Sequence, residues 1–154
     1  MKTLDQWFEE YAVSHQNPKN KTIHYICVPA IFFSIVGLLM SIPSAFLSNL
    51  LHLNQPIIEN WAVVVLIFVL LFYLRLSLVM AIKIAIFSAL CLIVNFYIGQ
   101  FLPLWAFSIS VFVIAWIGQF YGHKIEGKKP SFLKDIQFLM IGPAWVVHNL
   151  FSKK

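Results

Sequence analysis

Between two short polar motifs lie about a hundred residues of almost unbroken apolar sequence, from His24 to Tyr121. A helix that crosses the hydrocarbon core needs about 20 such residues. A chain with this much apolar sequence has to fold as a bundle of spanning helices, because lipid leaves no other way to satisfy its backbone N–H and C=O groups. The composition agrees: 60% of the residues are hydrophobic and 11% charged. That is too little charge to cover a water-soluble globule, where about 25% is usual.

The runs divide at polar or proline-bearing breaks. Spans are expected at about 24–47, 61–80, 81–99 and 104–121. The apolar run of the 61–80 span is short, and Arg75 is expected to snorkel and lengthen it. The fold class that follows is an all-α integral membrane protein in one domain, with about four transmembrane helices. Interfacial helices are expected at each end. Leu4, Trp7, Phe8 and Tyr11 give residues 4–14 an apolar stripe. Ser131 is a candidate cap for a tail helix over 131–152, which Gly142-Pro143 should break or kink. That tail is expected to lie on, or dip into, the interface.

Lysine and arginine set the orientation. They fall in the N-terminal segment, between the second and third spans, and in the C-terminal segment, with none in the other two loops. Both termini are therefore expected in the cytoplasm. This means the inner membrane in a bacterium, or the endoplasmic reticulum in a eukaryote. Residues 1–11 carry Asp5, Glu9 and Glu10 and no apolar segment, so insertion is expected to be directed by the spans themselves. The net charge of +5 is explained by topology rather than nucleic acid, since no basic groove or aromatic-basic motif accompanies it. Cys27 and Cys91 lie in apolar runs without CxxC spacing and are read as packing residues.

The two motifs are His15-Gln16-Asn17-Pro18-Lys19-Asn20 with His24, and Gly118-Gln119-Phe120-Tyr121-Gly122-His123 with Glu126. Asn17 and Pro18 form a helix start. His24 then lies about two turns inside the first span, on the face shared with Asn20 and Cys27. At the end of the fourth span, Trp116, Gln119, His123 and Glu126 share a face if that helix continues. Gly118 and Gly122 form a small-xxx-small pair that admits a close neighbour. The topology brings His15, His24 and His123 to one membrane face. His52 falls on the opposite side, and His148 reaches the cluster only if the tail folds back.

Polar groups crowded at one end of an apolar bundle suggest a site, and clustered histidines suggest a metal. Iron, zinc, manganese and copper all suit histidine with oxygen ligands, and Glu126 and Asp135 are carboxylates on the correct side. No Gly-x-Ser-x-Gly or HExxH sequence supports a hydrolase. Three readings stay open on the residues alone: a metal-dependent enzyme acting on lipid, a non-enzymatic metal-binding scaffold or small carrier, and a haem electron carrier ligated by His24 and His123.

The Asn-Pro-x-Asn-x-x-x-His and Gln-Phe-x-Gly-His patterns, with Glu126, Pro130 and Asp135, resemble the membrane 2-hydroxy fatty acid dioxygenases of the fungal type. The similarity covers essentially the whole chain. It implies an Fe(II)-dependent reaction in which molecular oxygen shortens a long-chain 2-hydroxy fatty acid by one carbon, without 2-oxoglutarate. It also implies His15, His24 and His123 as iron ligands. Asn17, Asn20 and Gln119 are then expected to orient ligands or substrate, with Lys19, Lys21 or Lys124 near the substrate carboxylate. Glu126, Asp135 and His148 are the candidates for a further ligand, although His148 lies outside the motif. Chain-length preference and oligomeric state are not set by these residues.

Overall fold

A computed structural model describes residues 2–127 and 132–151, with side chains described except over 132–139 and 150–151. The described residues are all-α, with no strand. Seven helices follow one another: α1 Leu4–Ala12, α2 Pro18–Met40, α3 Ala45–Leu51, α4 Trp61–Leu76, α5 Leu78–Phe101, α6 Leu104–Glu126 and α7 Phe132–Phe151. Three of them, α2, α5 and α6, are long and apolar enough to cross a membrane. Their outward faces carry exposed large apolar side chains such as Ile26, Ile86 and Ile114, as lipid-facing helices require.

Four spans of crossing length were expected, and the one over 61–80 differs. It corresponds to α4, which has 16 residues and ends at Leu76 rather than near 80. At 1.5 Å per residue it extends about 24 Å, short of the roughly 30 Å hydrocarbon core. The stop is made by Ser77, which is extended (φ −166°, ψ 125°) and caps α5 by accepting from the Met80 N–H. The first span differs as well. Asn17 accepts from the Lys19 N–H and Pro18 takes the first helical position, so α2 starts there. It ends at Met40 rather than near Leu47, just before Pro43, and Ala45–Leu51 forms a separate helix.

Helix α2 is the hub, packed on α4, α5, α6 and α7. Its partner along the whole length is α6, which runs antiparallel to it. Asn20 faces Gly122, Cys27 faces Gly118, and Gly37 faces Ser108. The buried stripe of α6 is Ser108, Ala115, Gln119 and Gly122, all small or polar. With no hydrophobic drive between helices in lipid, close backbone approach and polar contacts hold such pairs. Asn95 of α5 adds one such contact, donating to the Phe33 carbonyl of α2 and to the Cys91 carbonyl of its own helix.

The tail departs most from expectation. Gly142-Pro143 neither ends nor divides the helix: α7 runs through it. Ile141, Ala144, Trp145 and Val146 are buried in the same core as Phe8 and Tyr11 of α1, Val28 of α2 and Tyr73 of α4. The Tyr73 hydroxyl donates to the Met140 carbonyl. A proline inside a helix costs about 3 kcal/mol. Burying several large side chains, at about 1.5–3 kcal/mol each, outweighs that cost.

Candidate metal centre

His15, His24 and His123 converge, each offering one ring nitrogen, and these three nitrogens lie within 4.8 Å of one another. The ring centroids are 4.2 Å apart for His15 and His24, 5.0 Å for His24 and His123, and 5.4 Å for His15 and His123. Three different pieces of backbone supply them. His15 sits on the turn between α1 and α2, where its N–H bonds to the Ala12 carbonyl. His24 lies on the buried face of α2, and His123 in the last turn of α6.

Two of the rings are oriented by the carbonyl four residues earlier. His15 Nδ1 donates to the Tyr11 carbonyl at 2.6 Å, and His24 Nδ1 donates to the Asn20 carbonyl at 3.0 Å. A carbonyl only accepts, so in the neutral rings each Nδ1 holds the proton and each Nε2 keeps its lone pair. His15 Nε2 is buried and has no hydrogen-bond partner, and the same holds for His123 Nδ1. Buried polar atoms without partners are uncommon and call for an explanation. Fixed tautomers with lone pairs turned inward are what a metal ion requires of histidine. The three residues therefore fit a metal ion.

Burial reinforces this. His15 is 3% exposed and His24 1%. Burial, aided by the neighbouring charge of His123, pushes the His15 imidazole down from 6.5 to about 4, against the Tyr11 hydrogen bond that raises it. His15 is accordingly neutral near pH 7, in the form that binds metals.

Aromatic rings wall the site. Tyr11 stacks on His15 at 4.1 Å and 7° between planes. Trp145 of α7 lies 5.7 Å from His15, 5.1 Å from Tyr11 and 5.6 Å from Tyr25. Sequence reasoning did not place Tyr11, Tyr25 or Trp145 here. For Tyr11 the spacing to His15 was a usable signal, since a residue four positions before a buried histidine can supply the orienting carbonyl.

The remaining candidates separate clearly. Asn20, fully buried, donates from Nδ2 to the Ser14 carbonyl and to Glu126. Asn17 caps α2. Gln119 is buried on the α6 face one turn below His123. Glu126 stands outside the histidine cluster, with both carboxylate oxygens engaged by Gln16, Asn17 and Asn20. The tail does fold back, but it presents Trp145 to the cluster, while His148 packs on Phe8 at 5.0 Å. Lys19 and Lys124 are exposed, whereas Lys21 is half-buried and its charge reaches His15. The side chain of Asp135 lies outside the described residues.

An all-α bundle of apolar helices with three histidines gathered at one end defines a membrane protein with a candidate metal centre. The chain belongs to the Mpo1-like family: the family model described as "2-hydroxy-palmitic acid dioxygenase Mpo1-like" matches residues 1–154, the whole chain. Comparison with curated proteins and with solved structures gives no significant match.

Proposed function

We propose that the protein is an Fe(II)-dependent dioxygenase that shortens long-chain 2-hydroxy fatty acids by one carbon. The family description supports the substrate class and the use of oxygen. The observation that carries the reading is the convergence of three histidines, each offering a ring nitrogen within 4.8 Å of the others, with His15 Nε2 and His123 Nδ1 buried and unpartnered. His15, His24 and His123 would hold the iron. A facial set of protein ligands with open positions suits Fe(II) that activates oxygen beside a chelating substrate.

In the net reaction the C1–C2 bond breaks, the carboxyl carbon leaves as carbon dioxide, and C2 becomes the carboxyl carbon of the shorter acid. Water is the other product. One molecule of oxygen accepts all the electrons released, so no second reductant is needed.

The chain's own residues have three tasks in this reading. Tyr11 and Asn20 hold the His15 and His24 rings through main-chain carbonyls. The Tyr11–Trp145 wall excludes water, which strengthens electrostatic interactions inside the site. Lys21, half-buried on α2 with its charge felt at His15, would supply positive charge toward a substrate carboxylate. The alkyl chain would extend between helices at bilayer level. With both termini in the cytoplasm, as the lysine and arginine distribution implies, the site would lie at that face. A haem bridging His24 and His123 is disfavoured, because His15 sits 4.2 Å from His24 and 5.4 Å from His123, in the space a macrocycle would need.

The test is a product assay. Purified protein is loaded with Fe(II) without oxygen, given 2-hydroxypalmitic acid, and then exposed to oxygen. Mass spectrometry should detect the fatty acid one carbon shorter, and His24→Ala should not produce it. Bound iron with no product would overturn the substrate. Neither iron nor product would favour a scaffold.

A further inference from the structure

Glu126 occupies an electrostatically poor place on its own helix. It is the last residue of α6, where the carbonyl ends carry partial negative charge and an acidic side chain is disfavoured. The acid is accommodated because it sits over the start of another helix. One carboxylate oxygen accepts from the Gln16 N–H at 2.8 Å. The other accepts from the Asn17 N–H at 3.0 Å and from Asn20 Nδ2 at 2.9 Å. Gln16 and Asn17 lead directly into α2, whose N-terminal end carries the complementary partial positive charge. Asn20 lies beneath Gly122, so close that its Oδ1 occupies the space a Cβ there would need.

We infer that Glu126 is a positioning residue for the metal centre and not one of its ligands. It locks the His15 turn and the head of α2 onto the end of α6, fixing His15 relative to His123. The inference rests on the proposed metal centre and deepens it. Three charge-assisted hydrogen bonds engage both carboxylate oxygens away from the histidine nitrogens. No other acid among the described residues accepts hydrogen bonds that join the two ends of the chain in this way.

The experiment compares the full-length protein with Glu126→Ala and Glu126→Gln by two independent readouts. The first is hydrogen exchange of the Gln16 and Asn17 amides in metal-free protein. The second is titration with Co(II), read by its visible absorption. For Glu126→Ala, exchange at the two amides should accelerate at least about tenfold. Co(II) affinity should fall about 10–100-fold, the usual effect of losing an orienting partner. The spectrum at saturation should stay that of wild type, because the ligands are unchanged. Glu126→Gln keeps one accepting oxygen and should fall between the two. A changed spectrum at saturation would make Glu126 a ligand and overturn the inference, as would unchanged exchange at both amides. If wild type binds no Co(II), the metal-centre reading fails, and the exchange data still decide whether Glu126 locks the turn.

Discussion

Gly122 of α6 lies directly over the Asn20 side chain of α2, with no room for a methyl group between them: a Cβ on Gly122 would overlap Asn20 Oδ1. The same Cβ would lie 3.4 Å from His24 Cε1. The tightest glycine contact between α2 and α6 at this end of the bundle therefore lies beside the histidine cluster.

Gly122→Ala should push α6 away from α2 there. The expected result is destabilisation of about 1–3 kcal/mol, typical of overpacking, together with weakened metal binding. Gly99→Ala is the control, since its Cβ would meet only Leu104 at 3.7 Å, an ordinary contact. Thermal unfolding in detergent should separate the two variants clearly. Equal stability would show that the helices can part without consequence.

Removing ligands should follow the geometry. His15→Ala, His24→Ala and His123→Ala should each lower bound metal well below one ion per chain, measured by elemental analysis after dialysis. His148→Ala should retain it, because that ring packs on Phe8 outside the cluster. Chelation should abolish product formation, and adding Fe(II) back should restore it. Loss of metal in His148→Ala would place a fourth ligand on α7.

Acid should destabilise the metal-free protein through His15. An unfolded chain protonates this ring near 6.5 and the folded chain at about 4, because burial opposes the charge. Between those values the unfolded state binds the extra proton, so stability present above about 6.5 is lost progressively as pH falls toward 4. Unfolding temperature measured from about pH 7 to about pH 5 should drop more steeply in wild type than in His15→Gln, which lacks the titrating ring. Parallel slopes would contradict the buried neutral state.

Tyr73→Phe should loosen α7 without disturbing the other helices. The hydroxyl donates to the Met140 carbonyl, while the ring itself is fully buried. Losing the bond should cost about 1 kcal/mol. Limited proteolysis should then cut near α7 sooner, with the apolar core otherwise intact. An unchanged digestion pattern would show that the bond contributes nothing to docking.

The site was more legible in the sequence than the outline of the bundle. Asn17-Pro18 marks the head of α2 because capping and proline placement are local rules, and this start fixes the face on which His24 falls. The end of α4 was marked in outline, since Arg75 and Ser77 interrupt the apolar run there, but the extended backbone of Ser77 is what stops the helix at Leu76. Local rules allowed a break or a kink at Gly142-Pro143, and the helix does not break. The missing side chain of Gly142 lets α7 press onto Val28 and Tyr11, at 3.1 and 3.2 Å from where its Cβ would be, and this tertiary contact overrides the helix-breaking tendency. Glu126 suggested a ligand by its residue type. Its place in a last turn, where an acid is unfavourable, was the clue that another element had to be waiting for it.

His15 precedes the first long apolar helix and His123 closes the last of the three. A chain halted partway through insertion therefore carries at most two of the three nitrogens, and an uncoupled N-terminal turn. Whatever the trio holds can be held only after both ends of the protein have met. On the proposed reading the centre would act as a checkpoint of biogenesis: its chemistry would be withheld from every unfinished copy until the last long helix docks.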